Sequence, residues 1–442
     1  MILEDSKSNT KSTKMAVIAE IALVLSFTLL FVAYQPNEVS SSLLIVALIP
    51  TAVVGLYAWL RGAVRGQFFG SAGPLEAVRL IVVPLIPVIV STLRGDEYGT
   101  TYGLIIISWV LVSRMLWDVI SLENVIRAAA ITASVWVAAF LWIGWSAILG
   151  SITLGARMEI AGFHPNTVGF TMAGLTPALV WWFRTSRNLL WRAIALASLA
   201  IAGALVVLAS SRGSLVAIAS ALTVCLFLMI AKACRDRPLR MQLVLVCFCL
   251  MAAMVVVEIG VGGFATANDQ FRILLELDSP YRGLDSGVSG RFEIWGDVLA
   301  LLRGGAWLAG SGYRSGIRLI GAEIDNGYLT VWLEMGVLGL CVVLFRYLSI
   351  LRSALSSYWS DRGPAQTALC ICAFLVVVLV NNVFARYLFG MGNPVSLLAL
   401  FLYAGPPRLL KGASGPPQMA EAHHRAELLR IVPPFNARQL TR

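Results

Sequence analysis

The sequence predicts an all-α membrane protein of about twelve transmembrane helices, with one long outer loop that contains a short amphipathic helix. Three observations predict it. Hydrophobic residues make up 58% of the chain and charged residues 13%, at a mean hydropathy of +0.80; a soluble domain of that composition would leave a large apolar surface in water. Apolar runs of bilayer-crossing length recur along the chain, and a single long polar segment interrupts them.

The elements follow in order. Residues 1–14 are polar and lack a following small-residue cleavage site, so they read as a disordered cytoplasmic N-terminus rather than a cleaved signal peptide. Runs of roughly 17 to 25 apolar residues cross a bilayer as helices. They occur at 15–33, 41–60, 75–93, 101–117, 124–149, 166–183, 189–208, 213–231 and 239–258, giving transmembrane helices 1–9 within 15–258. The polar loop spans 259–325, and runs at 326–351, 366–383 and 390–404 give helices 10–12 within 326–404. Runs this continuous do not fit the alternating pattern of barrel strands, and lipid demands that backbone groups be satisfied within each segment. Residues 405–442, with Pro416-Pro417 and Pro433-Pro434, read as a disordered cytoplasmic tail.

Positive charge sets the orientation. With the N-terminus inside, Lys7, Lys11, Lys14, Arg61, Arg65, Arg114, Arg127, Arg184, Arg187, Arg192, Lys232 and Arg346 fall on the inner side with the basic tail. The outer side holds Arg94, Arg157, Arg212, Arg272, Arg282, Arg291, Arg303, Arg314, Arg318 and Arg386, mostly in the long segment, where the positive-inside rule does not apply. Both termini are therefore expected in the cytoplasm. The net charge of +10 is mainly this orientation signal and implies no nucleic-acid partner. Cysteines lie in apolar runs or, for Cys234, an inner loop, so no disulfide framework is expected outside. Cys247/Cys249 and Cys370/Cys372 are two apart and point to different helix faces, which does not suit a metal. His423-His424 in the tail reads as solvated.

The outer side carries the candidate chemistry. Ser289-Gly290-Arg291 opens a short helix running to about Arg303, in which Ile294, Trp295, Val298 and Leu302 recur at helical spacing, so it is expected on the membrane surface. Ser289 suits the N-cap, while Arg291 is misplaced for the helix dipole, a local inconsistency that points toward function. Gly310-Ser311-Gly312-Tyr313-Arg314 reads as a glycine turn presenting Arg314, or as a flexible loop with solvated arginines. Ser210-Ser211-Arg212-Gly213-Ser214 leaves almost no loop, so Arg212 sits at the membrane boundary, where it snorkels or meets a partner. Gly162-Phe163-His164-Pro165-Asn166 precedes another helix; His164 reads as a base, a hydrogen-bond donor, or a turn residue set by Pro165. Asp325-Asn326-Gly327-Tyr328 runs into Gly336-Val337-Leu338-Gly339.

Several arginines at a membrane surface suit a lipid-linked phosphate or diphosphate, because the planar guanidinium grips phosphate oxygens bidentately. The outer segment has no clustered Asp-x-Asp pattern to hold a divalent ion, so no metal and no cofactor are expected. Asp325 can accept a proton from an attacking hydroxyl. Trp295, Tyr313 and Tyr328 stack on sugar rings or anchor at the interface.

Gly162 to Asn166, Ser211-Arg212-Gly213, Gly290-Arg291 with Trp295, Gly310-Ser311-Gly312, and Asp325-Asn326 with nine residues before Gly336-x-x-Gly339 occur in that order. The set resembles the bacterial O-antigen ligase and polymerase superfamily of membrane glycosyltransferases, over roughly 160 to 340. The resemblance implies a twelve-helix inner-membrane enzyme that transfers glycan from an undecaprenyl diphosphate carrier in the periplasm without metal. It makes Arg212 and Arg291 diphosphate-binding, with Arg314 placed by proximity, and Asp325 and Asn326 catalytic; His164, Asn166, Trp295 and Tyr328 are further candidates. Ligases that join glycan to lipid A-core typically show His-Asn where this chain has Asp325-Asn326, and Asp-Asn looks more like the polymerase branch. The expected function is therefore polymerisation of O-antigen or exopolysaccharide repeat units, with membrane lipids and a chain-length regulator as further partners. The alternatives are an O-antigen ligase, a lipid-linked sugar transporter or flippase, and a structural scaffold. A transporter is expected to place ionisable groups near the midplane and to break helices in related positions; here the polar groups gather on one side.

Overall fold

The computed structural model describes residues 2–35, 38–39, 41–64, 76, 78–154, 158, 160, 163–235, 291–360 and 364–406. The expected ninth helix at 239–258, the first part of the polar loop with Ser289 and Gly290, Gly162, and the tail beyond 406 lie outside the described residues.

The described chain is mainly helical, with one pair of two-residue strands. Helix α1 (Ile2–Ala33) and α2 (Ser41–Val64) pack as a hairpin closed by strands β1 (Tyr34–Gln35) and β2 (Glu38–Val39). The polar lead expected to be disordered is helical from Ile2, in line with its lack of Gly and Pro. A π-helical turn, Val78–Val82, leads into α3 (Val83–Leu93), followed by α4 (Glu97–Leu116), α5 (Leu122–Leu154), α6 (Pro165–Thr185), α7 (Leu189–Leu208) and α8 (Arg212–Ala233). After the gap come α9 (Arg291–Leu301), α10 (Ser315–Ile320), α11 (Gly327–Ser360), α12 (Ala365–Asn381) and α13 (Pro394–Ala404). Short polar residues mark several starts. Asp96, Asn188 and Asn393 each accept a first-turn N–H at 2.8 Å, which satisfies a donor that the helix cannot.

Seven of these helices are long and apolar enough to cross a membrane, including α1, α2, α4, α5, α7, α8 and α11. Large apolar side chains such as Val53, Trp142, Leu222 and Phe345 are exposed along them, as a lipid-facing surface requires. The chain is thus a multi-pass membrane protein. The expected twelfth span, 390–404, is corrected: α13 is an 11-residue helix beginning at Pro394, about 16 Å long and too short for a hydrocarbon core of about 30 Å. All of α13 is buried, packed beside α4, α6 and α11. The C-terminal carbonyls that the helix itself leaves unpaired would be costly in so apolar a place. The buried Arg346 resolves this from α11, donating to the Tyr403 carbonyl at 3.1 Å and to Gly405 at 2.6 Å.

Helix α11 is broken at Gly336, whose φ of 73° and ψ of 175° lie in a region essentially reserved for glycine. The break frees backbone groups for a tertiary contact, and the candidate site is built on it.

Candidate functional site

The turn at 310–314 docks onto the break in α11. Ser311 N–H donates to the Leu333 carbonyl at 2.7 Å, Gly312 N–H to Glu334 at 3.1 Å, and Val337 N–H to the Trp307 carbonyl at 2.7 Å. A Cβ on Gly336 would lie 2.0 Å from the Leu308 carbonyl oxygen, so the Gly336 position demands glycine twice over, for its angles and for this approach. Tyr313 then plugs into α4, where a Cβ on Gly103 would meet its ring at 2.4 Å and one on Gly99 its carbonyl at 2.5 Å. Tyr313 is fully buried, so it anchors the turn and does not stack on a sugar. Burial also pushes its phenol well above its ordinary pKa.

Arg314 follows in a left-handed conformation, φ 57°. Its backbone N–H donates to the buried Glu334 carboxylate at 2.8 Å, and its guanidinium donates to Glu323 at 3.3 Å and lies over the rings of Tyr98 and Tyr102. Burial works to lower the pKa of that guanidinium, but Tyr102, Tyr98 and Glu334 outweigh it and hold it above the ordinary value. Arg314 is permanently charged and preorganised.

Arg291 donates to Asp325 Oδ2 at 3.1 Å, with the arginine side chain 18% and the carboxylate 42% exposed. This pair accounts for the arginine that the helix dipole disfavours. The apolar stripe of α9 is corrected as well: Val298 and Leu302 are buried against Ile324 and Leu333, with Ile294 and Trp295 packed beside them, so the stripe faces protein instead of the membrane surface. Asn326 Oδ1 accepts from the N–H groups of Tyr328 and Leu329, each at 3.0 Å, which makes it the cap of α11. Asn326→Ala is expected to lower stability by about 1 kcal/mol, read as an earlier thermal unfolding that Asn326→Asp largely restores. Tyr328 is half-buried and donates its hydroxyl to the Leu379 carbonyl at 2.6 Å.

The remaining elements meet these through the 382–393 loop. Asn382 offers its carbonyl to Gly327 N–H at 2.8 Å; Arg386 pairs with Glu323, the carboxylate that also holds Arg314; Met391 exchanges hydrogen bonds with Tyr102. At the Arg212 turn, Ser210 has φ 48°, Asn381 donates to Ser214 at 2.9 Å, and Gly213 leaves room for Phe384. His164 caps α6, its Nδ1 accepting Asn166 N–H at 3.2 Å, and one turn on Thr167 shares a 3.0 Å hydrogen bond with Tyr387. All the sequence-derived site residues therefore lie at one end of the bundle, beside Arg94 and Arg318, which both donate to the Ser311 carbonyl. Contacts tie Arg291 to Asp325 and Arg314 to the 382–393 loop; Trp295, Asn326 and Tyr328 serve packing or capping contacts there.

Sequence reasoning missed Glu334, Glu323 and the role of Arg386. Glu334 left a signal, being the one acidic residue within the apolar run 326–351, where a carboxylate is costly unless it is used.

Residues 197–344 match the family model for O-Antigen ligase. The match covers about a third of the chain, and over that stretch the chain is similar to the O-antigen ligase and polymerase superfamily. The O-Antigen ligase match includes Arg212, Arg291, Arg314, Asp325 and Asn326, together with Glu334 and Gly336; His164, Asn166 and Arg386 lie beyond it. No curated protein matches the chain. Among the described residues no cluster of His, Cys, Asp and Glu has the make-up of a metal site.

Proposed function

We propose that the protein is a polymerase of undecaprenyl-diphosphate-linked oligosaccharide repeat units, in O-antigen or exopolysaccharide synthesis, acting at the periplasmic face of the bacterial inner membrane. The observation that carries this reading is the Arg291–Asp325 pair, at 3.1 Å, on the arginine-rich end of the bundle. The hydroxyl of one lipid-linked repeat attacks the anomeric carbon of the chain on a second carrier. The new C–O bond forms as the bond to diphosphate breaks, the diphosphate leaves with the electron pair, and Asp325 takes the hydroxyl proton. Arg212, Arg291 and Arg314 neutralise the leaving diphosphate, a role that preorganised guanidinium groups perform without reorganisation.

The ion pairs suggest how the site is gated. A diphosphate competes with the Asp325 carboxylate for the fork of Arg291 and with Glu323 for that of Arg314. Donor binding thus releases Asp325 at the moment a base is needed. Asn326 and Glu334 position these groups, one by capping α11 and the other by holding the Arg314 backbone.

Ligation of glycan to lipid A-core remains the second reading, favoured by the description of the matching family; Asp325 in the place of histidine favours polymerisation. Complementation of a deletion strain with Asp325→Asn and Arg291→Ala separates them. Polymerisation is supported if both variants reach the membrane and leave single repeats on the carrier. Long carrier-linked chains that never reach lipid A indicate a ligase, and full activity in both variants removes the proposed site.

A further inference from the structure

A cavity of about 930 Å³ opens where α6 ends and α5, α7 and α12 begin, within the range of about 300–1,000 Å³ found for small-molecule sites. The 21 residues of α6 place it about 30 Å from the end that holds His164, so it takes no part in the arginine-rich site. Its walls include Trp181, Trp182 and Trp191. Trp181 is fixed by donating to Thr367 Oγ1 at 3.1 Å, and the rings of Trp182 and Trp191 lie 5.5 Å apart. Next to Trp191, Leu189 and Leu190 are 80% and 61% exposed, so the mouth faces hydrocarbon at the start of a membrane span. Tryptophan in that position is characteristic of the headgroup level of a bilayer.

The charges at the cavity are specific. Arg127 is engaged, donating to Glu20 at 2.9 Å and to Asn124 at 2.6 Å. Arg187 and Glu123 line the same space, are exposed, and form no ion pair with each other or with another described residue. Among the described residues one cation and one anion are left, set in an aromatic wall that opens to lipid.

We propose that this cavity holds the headgroup of a glycerophospholipid bearing a phosphate and a primary ammonium. Arg187 takes the phosphate through its planar fork, Glu123 takes the ammonium, and the glycerol and first methylenes lie along Trp182 and Trp191. Basic pockets between membrane helices are known to hold lipid phosphates, the part of the headgroup assigned to Arg187. Glu123 distinguishes this one from a pocket for a purely anionic lipid, which its carboxylate would repel. The proposal is independent of the transfer reaction.

The test is native mass spectrometry of the purified full-length protein in non-ionic detergent, titrated with phosphatidylethanolamine, phosphatidylglycerol, phosphatidylcholine and soluble phosphorylethanolamine. One phosphatidylethanolamine is expected to bind in preference to the others. Arg187→Ala should weaken it about tenfold, the loss of a charge-assisted hydrogen bond, and Glu123→Gln should abolish the preference over phosphatidylglycerol. Arg352→Ala, at an exposed arginine that does not line the cavity, should bind as wild type. The proposal is overturned if Arg187→Ala retains full affinity, if Glu123→Gln retains the headgroup preference, or if Arg352→Ala loses as much as Arg187→Ala. Binding of the soluble headgroup as tightly as the lipid would overturn the assignment to a lipid.

Discussion

Asp325→Asn is expected to lower turnover about 10²- to 10⁴-fold, the usual contribution of a positioned general base, with normal protein in the membrane and no loss of donor affinity. Asparagine keeps the shape of aspartate and removes its charge. The ion pair with Arg291 is part-exposed, and such pairs contribute about 0–1 kcal/mol, so folding should hardly change. Its loss leaves Arg291 free of a competing carboxylate, and the apparent KM for the lipid-linked donor should stay level or fall. Arg291→Ala should show the reverse emphasis, a raised donor KM together with slower turnover, because the diphosphate loses a ligand in both ground and transition states. A purely structural ion pair would give two variants with the same small stability defect and similar kinetics. Steady-state assay of purified protein with lipid-linked repeats, resolving product length, makes the comparison. Turnover near wild type in Asp325→Asn would remove the carboxylate from the chemistry.

Much of the architecture was legible because lipid imposes a simple code. Eleven of the twelve apolar runs fall on helices, and the ninth, 239–258, lies outside the described residues. What the code could not convey was depth. The run at 390–404 is as apolar as a span, yet only Pro394–Ala404 is helical and it is buried by protein; a core helix and a lipid-facing helix are equally hydrophobic. The same ambiguity misplaced the stripe of α9, since the spacing of Ile294, Trp295, Val298 and Leu302 describes a face without naming what covers it. At the candidate site the glycines and arginines were visible as a pattern because each is locally unfavourable where it stands. Their partners were not, because Tyr98, Tyr102, Glu334 and Arg386 come from distant helices and loops and acquire meaning only through contact. Asn326 carries a structural task that its place in the sequence did not announce. A residue beside a candidate base invites a chemical role, and its side-chain oxygen also caps α11.

Gly336→Ala is expected to be the most damaging single-methyl change in the described chain. The added carbon would sit 2.0 Å from the Leu308 carbonyl oxygen, an approach that backbone atoms cannot relieve without moving. The residue would also be held at φ 73°, ψ 175°, at a cost of about 1–3 kcal/mol for such a conformation. If the 305–314 turn shifts away, it gives up the hydrogen bonds from Ser311, Gly312 and Val337 across the break, each contributing about 0.5–1.5 kcal/mol. It would also release Tyr313 from the groove at Gly99 and Gly103. Together these effects exceed about 3 kcal/mol, and they act where Arg314 is positioned. The expected result is faster proteolysis within 291–325 and loss of polymer, while the spans still insert. Gly203→Ala is the control: it lies in α7 with nothing within 4 Å of an added Cβ, so it should be neutral or stabilise by about 0.5–1 kcal/mol. Glu334→Ala should share part of the defect, since it leaves Arg314 N–H without its acceptor. Glu334→Gln keeps an oxygen there, and its activity reports whether the turn needs a hydrogen bond alone or a negative charge as well.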